Sequence, residues 1–152
     1  APSLLPLPLY AALSAARQLE ALQPAPPGCR KAILATNIAE TSVTIDGVVY
    51  VVDSGLVKSK VYHSSRRIDS LLAMPIARAA ARQRAGRAGR QCAGKCFRLY
   101  TEDFYHSADL QDTATPEILR RSLAGTLLAL KALGIDDVLS FDFVQPPSRG
   151  AF

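Results

Sequence analysis

At 152 residues the chain suits one globular domain, or one domain and part of another, and an apolar fraction of 49% excludes a disordered polymer. No apolar run approaches the ~20 residues that cross a bilayer, and no signal-peptide pattern opens the sequence. The net charge of +5 is uneven: Lys58 to Arg98 holds eleven Lys or Arg and one acid, Asp69, whereas eight acids and four bases follow from Leu99 onward. A basic middle of this kind suits a polyanion, either nucleic acid or nucleotide phosphates.

In chain order, Pro2, Pro6 and Pro8 exclude a helix at the start. "YAALSAARQLEAL" (10–22) then predicts a helix with Leu13, Leu19 and Leu22 near one face, ended by "QPAPPG". "KAILAT" (31–36) and "VVYVVDSG" (48–55) read as buried strands around a polar loop or short helix, "NIAETSVTIDG". "LVKSKVY" (56–62) and "RIDSLLAMPI" (67–76) flank "HSSR" and suggest a hairpin without the usual Asn-Gly or Asp-Gly turn. "ARAAARQRAGRAGR" (77–90) has the alanine content of a helix, interrupted by Gly86 and Gly89, and "KCFRLY" (95–100) reads as a strand. The strongest periodicity is "TPEILRRSLAGTLLALKALG" (115–134), a helix expected to be capped by Thr115, opened by Pro116 and stopped by Gly134. Alternating strands and crossovers predict an α/β sheet layer, with a division near 105–114 before a helical, acidic end. The abrupt start at "APSLLPLPLY" and stop at "PPSRGAF" suggest a piece of a longer chain.

Cys29, Cys92 and Cys96 are an odd number at irregular spacing, and neither His63 nor His106 completes a zinc pattern with them. Free thiols in a reducing, intracellular compartment are expected. "GRQCAGKC" (89–96) imitates a P-loop, but Cys96 replaces the magnesium-binding hydroxyl and the stretch runs from helix to strand, the reverse of a P-loop.

Two groups of residues are placed for chemistry. In an α/β sheet, ligands gather beyond the carboxyl ends of strands, and the strand at 31–36 sets Thr36, Asn37, Glu40, Thr41 and Ser42 on that rim. Their hydroxyls and amides suit phosphate oxygens, and equally suit ordinary turn chemistry. Gln83, Arg87 and Arg90, spaced by four and three, would share one face of a helix that Gly86 and Gly89 strip of bulk. Two guanidiniums and an amide aimed at one spot can grip a terminal phosphate and an attacking water. A solvated basic helix is the alternative, and Arg82 and Arg84 are expected to point elsewhere.

"ATNIAETSVTIDGVVYVVDSG" (35–55) followed by "QRAGRAGR" (83–90) resembles motifs V and VI of the DEAH-box RNA helicases. "LPLYAAL" (7–13) is similar to the motif IV region, "GKCFRLYTEDFY" (94–105) continues the match, and residues 116–147 resemble the start of the winged-helix domain that follows in that family. The resemblance implies a second RecA-like lobe with a parallel sheet and an inserted β-hairpin (1–107), then a truncated winged helix (108–152). It implies that Arg87 and Arg90 act on the γ-phosphate of ATP while Gln83 orients the attacking water. Thr44 and Asp46 would face the nucleotide. Thr36, Asn37 and Thr41 would touch the RNA backbone, and Arg66 and Arg67 would lie at the hairpin tip where strands separate. Magnesium would be held by the first lobe, whose P-loop and DEAH sequence this chain lacks, so the chain alone is expected to be inactive. The implied partners are RNA, that first lobe and an activating protein, with no membrane and a nuclear or nucleolar setting. Leu22 stands where many members stack a Phe on the base, and Ala35 where some have Ser. A non-enzymatic RNA-binding protein built on the same lobe, or a DNA-directed relative, is the alternative.

Overall fold

The computed structural model describes residues 2–138 and 140–147; residues 148–152, the end of the expected second domain, lie outside them. Two compact units are formed, one by Ala1–Val57 with Pro75–Thr113 and the other by Lys58–Met74 with Ala114–Phe152.

In the first unit, β1 (Ser3–Leu9) pairs in parallel with β2 (Cys29–Ala35), Leu7 opposite Ile33. The prolines that exclude a helix fit this strand for a geometric reason. The Ser3 amide donates to the Gly28 carbonyl and the Leu9 carbonyl accepts from Thr36, so odd-numbered residues face β2. Pro6 and Pro8 sit at even positions, where no donor to the ladder is lost. Between the strands, α1 (Ala15–Leu22) is shorter than its periodicity predicts. Tyr10–Leu13 closes as a turn, and the helix starts only after Ser14, whose extended ψ of 147° marks the cap. Its buried contact is Ala21 rather than Leu19, which is exposed; Ala21 joins Leu7 and Leu9 in a small core flanked by Leu5, Ile33, Ile38, Ala39 and Ile45.

The chain continues through α2 (Ile38–Thr41) into β3 (Tyr50–Asp53), which pairs in parallel with β6 (Lys95–Arg98). Between them in sequence come the hairpin strands β4 (Leu56–His63) and β5 (Ile68–Pro75) and the helix α3 (Arg78–Ala85). The amides that open α3 would be orphans, but Arg78 and Ala79 donate theirs to the carbonyls of Gln111 and Asp112. The Arg78 guanidinium reinforces this, donating to the carbonyls of Tyr105 and Ser107 and to Asp112 at 2.8–2.9 Å. The segment after α4 (Glu102–His106) is thereby fixed against α3 within the first unit.

In the second unit, the expected hairpin forms, its four-residue turn closed by Arg67 at φ 54° in place of the absent glycine. The expected helix over 115–134 does not form in one piece. A 3-10 turn covers Glu117–Leu119, and α5 runs only over Ala124–Ala132. Pro116, expected inside the helix, has an extended ψ of 146° and stands before that turn. The break follows from competition for one carbonyl: Arg120 gives its oxygen to the Tyr62 amide of β4, and Ala124 turns instead to Ser122 Oγ. Gly134 stops α5 as expected. At φ 83° it lets its own amide and that of Ile135 return to the carbonyls of Lys131 and Leu130.

Candidate functional site

Strand β2 ends at Ala35, and the chain turns at once into α2 through Thr36 and Asn37, whose carbonyls accept from Ala39 and Glu40. Thr36, Asn37 and Thr41 are all exposed on this rim, with their side chains toward solvent. Glu40 is not: its carboxylate faces Arg84, which donates from Nε to Oε2 at 3.0 Å, and both side chains are 16% exposed.

Arg84 points away from Gln83, Arg87 and Arg90, as expected, but into a buried network rather than to solvent. Its Nη1 also reaches Asp53 Oδ1 at 2.8 Å and the Leu56 carbonyl at 3.2 Å. Asp53 ends β3 with a fully buried carboxylate, which further accepts from the Gly55 amide and from Tyr100 Oη, each at 3.0 Å. A buried charge needs this many partners. Burial opposes the Arg84 cation, but hydrogen bonds and charge from Asp53 and Glu40 outweigh it and push its pKa above the ordinary value. Burial, then the Asp53 charge and hydrogen bond, push the Tyr100 phenol up to about 12; burial and Asp53 likewise raise the Cys96 thiol.

The helical-face argument for Gln83, Arg87 and Arg90 holds only in part. Gln83 is exposed on α3, but the helix ends at Ala85, and Arg87 and Ala88 continue in tighter turns, donating to the carbonyls of Arg84 and Ala85. Arg87 is half-buried just past the helix end, and its Nη1 is buried with no hydrogen-bond partner among the described residues. Arg90 lies further on and donates from Nη1 to Thr44 Oγ1 at 2.9 Å. Gln91 Oε1 accepts from the Gly47 amide at 2.9 Å. The structure therefore joins Thr44 with Arg90 and leaves Asp46, two residues after Thr44, exposed.

Gly94 explains the false P-loop. A methyl group there would overlap the Ala88 carbonyl and stand 2.6 Å from the Val49 carbonyl oxygen, so the glycine serves a close backbone crossing at the start of β6. Arg66 and Arg67 are exposed at the hairpin turn in the second unit. Sequence reasoning missed the Arg84–Asp53–Glu40–Tyr100 cluster, whose only signal was an acid, Asp53, at the end of an apolar strand.

Residues 5–92 match the helicase conserved C-terminal domain. The chain is 53% identical over 146 residues to the pre-mRNA-splicing factor ATP-dependent RNA helicase prp22 of Schizosaccharomyces pombe, covering 96% of this chain and 12% of that protein. Two crystal structures of the HrpB helicase of Escherichia coli superpose on it. One, described as a DExH-box NTPase, gives a TM-score of 0.87 at 35% identity over 99% of this chain and 18% of the other. The second, described as a DEAH/RHA helicase, gives 0.90 at 36% identity over 98% and 19%. The chain thus spans about an eighth of the length of the curated relative. The expected RecA-like α/β architecture holds across both neighbours.

Proposed function

The chain belongs to the helicase conserved C-terminal domain family, on its DEAH-box branch, and from this and the site geometry we propose that it forms the second lobe of an ATP-dependent RNA helicase. In this reading residues 1–107 form the lobe and 108–152 begin a winged helix. The observation that carries it is Arg87. A buried guanidinium nitrogen without a partner costs about 1–3 kcal/mol, and an anion docking from another lobe relieves that cost. Arg87 and Arg90 then hold the terminal phosphate of ATP, Gln83 orients the water, and Thr44 and Asp46 complete the nucleotide face. Before ATP arrives, Thr44 keeps Arg90 in place.

Magnesium, when bound, neutralises phosphate charge during the transfer. In this reading its ligands come from the first lobe, as the family resemblance implies. Thr36, Asn37 and Thr41, exposed at the end of β2, meet sugar and phosphate oxygens of RNA rather than base edges. Arg66 and Arg67 meet the strands being separated. An activating protein and a nuclear setting, as the splicing role of prp22 suggests, complete the reading. Among the described residues no helix is long and apolar enough to cross a membrane.

The test is RNA-stimulated ATP hydrolysis and duplex unwinding by the native gene product, beside the 152-residue chain alone. The reading expects both activities in the former and no hydrolysis in the latter. Hydrolysis by the isolated chain that survives Arg87→Ala would overturn the two-lobe account. RNA binding without any hydrolysis by the gene product would favour the non-enzymatic alternative.

A further inference from the structure

Three side-chain links tie the segment after β2 to α3 and the segment leaving it, and they run in order: Glu40 to Arg84, Thr44 to Arg90, and the Gly47 amide to Gln91. The two later links lie at the nucleotide face or beyond it. The first lies at neither face. Glu40 directly precedes Thr41 on α2, four residues after Thr36, while Arg84 directly follows Gln83 and stands one turn before Arg87. Of the three links it is also the one anchored from below, because the same Arg84 guanidinium holds the buried Asp53 carboxylate at the end of β3.

We propose that the Glu40–Arg84 ion pair is a positioning link that transmits RNA contact at α2 to the nucleotide-facing residues of α3; the proposal rests on the functional reading above. The physical grounds are stiffness and asymmetry. Arg84 is planar and fixed at three points, Glu40, Asp53 and the Leu56 carbonyl, so a shift of α2 turns the guanidinium about its Asp53 contact instead of being absorbed by a free rotamer. Gln83 and Arg87 lie on the same short stretch of backbone as Arg84 and follow it. A flexible or solvated Glu40 would pass nothing on. Unlike its rim neighbours Thr36, Asn37 and Thr41, which are exposed, Glu40 turns its carboxylate inward to Arg84, so its role is separable from binding. Where ATP binding favours the same placement of Gln83 and Arg87, the coupling between the two binding free energies is reciprocal, whereas stimulation of turnover need not be symmetric with it.

The experiment uses the native gene product, a single-stranded poly-uridine RNA and a non-hydrolysable ATP analogue. Glu40→Gln keeps the shape of the side chain and leaves Arg84 held by Asp53, and thermal unfolding checks that the variant folds. The expected result is basal hydrolysis within about twofold of the parent, while RNA stimulation of hydrolysis falls about fivefold or more. The effect of the analogue on RNA affinity should also shrink in the variant. A purely structural role would lower the unfolding temperature and leave both ratios alone, so unchanged ratios overturn the proposal. An equal loss of basal and stimulated rates overturns it as well, because the pair would then support catalysis without relaying RNA contact. If the parent itself shows no stimulation by RNA, the functional reading fails together with the proposal, and the two failures are told apart by that control.

Discussion

Arg90 Nη1 lies 2.9 Å from Thr44 Oγ1, joining two residues forty-six positions apart that sequence reasoning had assigned separately to one nucleotide. The bond is exposed, so its contribution to stability is small. Its effect is on placement, because a long arginine side chain otherwise samples many rotamers. Arg84, by contrast, is held in a buried network, and the two arginines should respond to substitution in opposite ways.

Arg84→Ala strands the buried Asp53 carboxylate and frees Glu40. Removing one partner of a buried ion pair costs about 3–5 kcal/mol. The neighbouring Arg82 is exposed, and Arg82→Ala should change stability by no more than about 0.5 kcal/mol. Denaturant unfolding of the two variants checks the contrast; equal midpoints would show that the network does not hold the lobe together.

Tyr100 sets a pH dependence. Its phenol ionises at about 12 in the fold against 10 in an unfolded chain, because of burial and then the Asp53 charge. Between those values the unfolded state binds fewer protons than the folded one, so stability falls as pH rises from 10 toward about 12. Tyr100→Phe should lose stability less steeply across that window. Parallel pH profiles for the two proteins would contradict the assignment.

Gly94→Ala should destabilise the lobe by about 1–3 kcal/mol, since the added methyl meets two backbone carbonyls that cannot rotate away. Gly89→Ala is the comparison, because nothing lies within 4 Å of its added atom. Thermal unfolding should separate the two glycines clearly. If Gly89→Ala unfolds as early as Gly94→Ala, the close crossing is not what Gly94 serves.

These residues show what the sequence could and could not reveal. Strands β2, β3 and β6 were legible because they are apolar runs bounded by turn residues, and the RecA-like architecture followed from two long motifs. Helix lengths were less legible. Residues 115–134 keep their leucine period although the Arg120 carbonyl is taken by Tyr62, and that competition comes from a strand some sixty positions away. The site divided the same way. Arg87 and Arg90 were marked by spacing and glycine, whereas Arg84 read as one more surface cation because its partners, Glu40 and Asp53, are brought to it only by the fold.

The central claim is that Arg87 and Arg90 act on the phosphate being transferred. Steady-state ATP hydrolysis by the native gene product carrying Arg87→Lys or Arg90→Lys tests it most directly. Lysine keeps the charge but loses the planar fork that holds two phosphate oxygens at once. Arginines in this role contribute on the order of 10³-fold or more to turnover, so each variant should bind ATP nearly as the parent does and hydrolyse it slower by about that factor. Turnover within about threefold of the parent in both variants, with normal folding, would contradict the account.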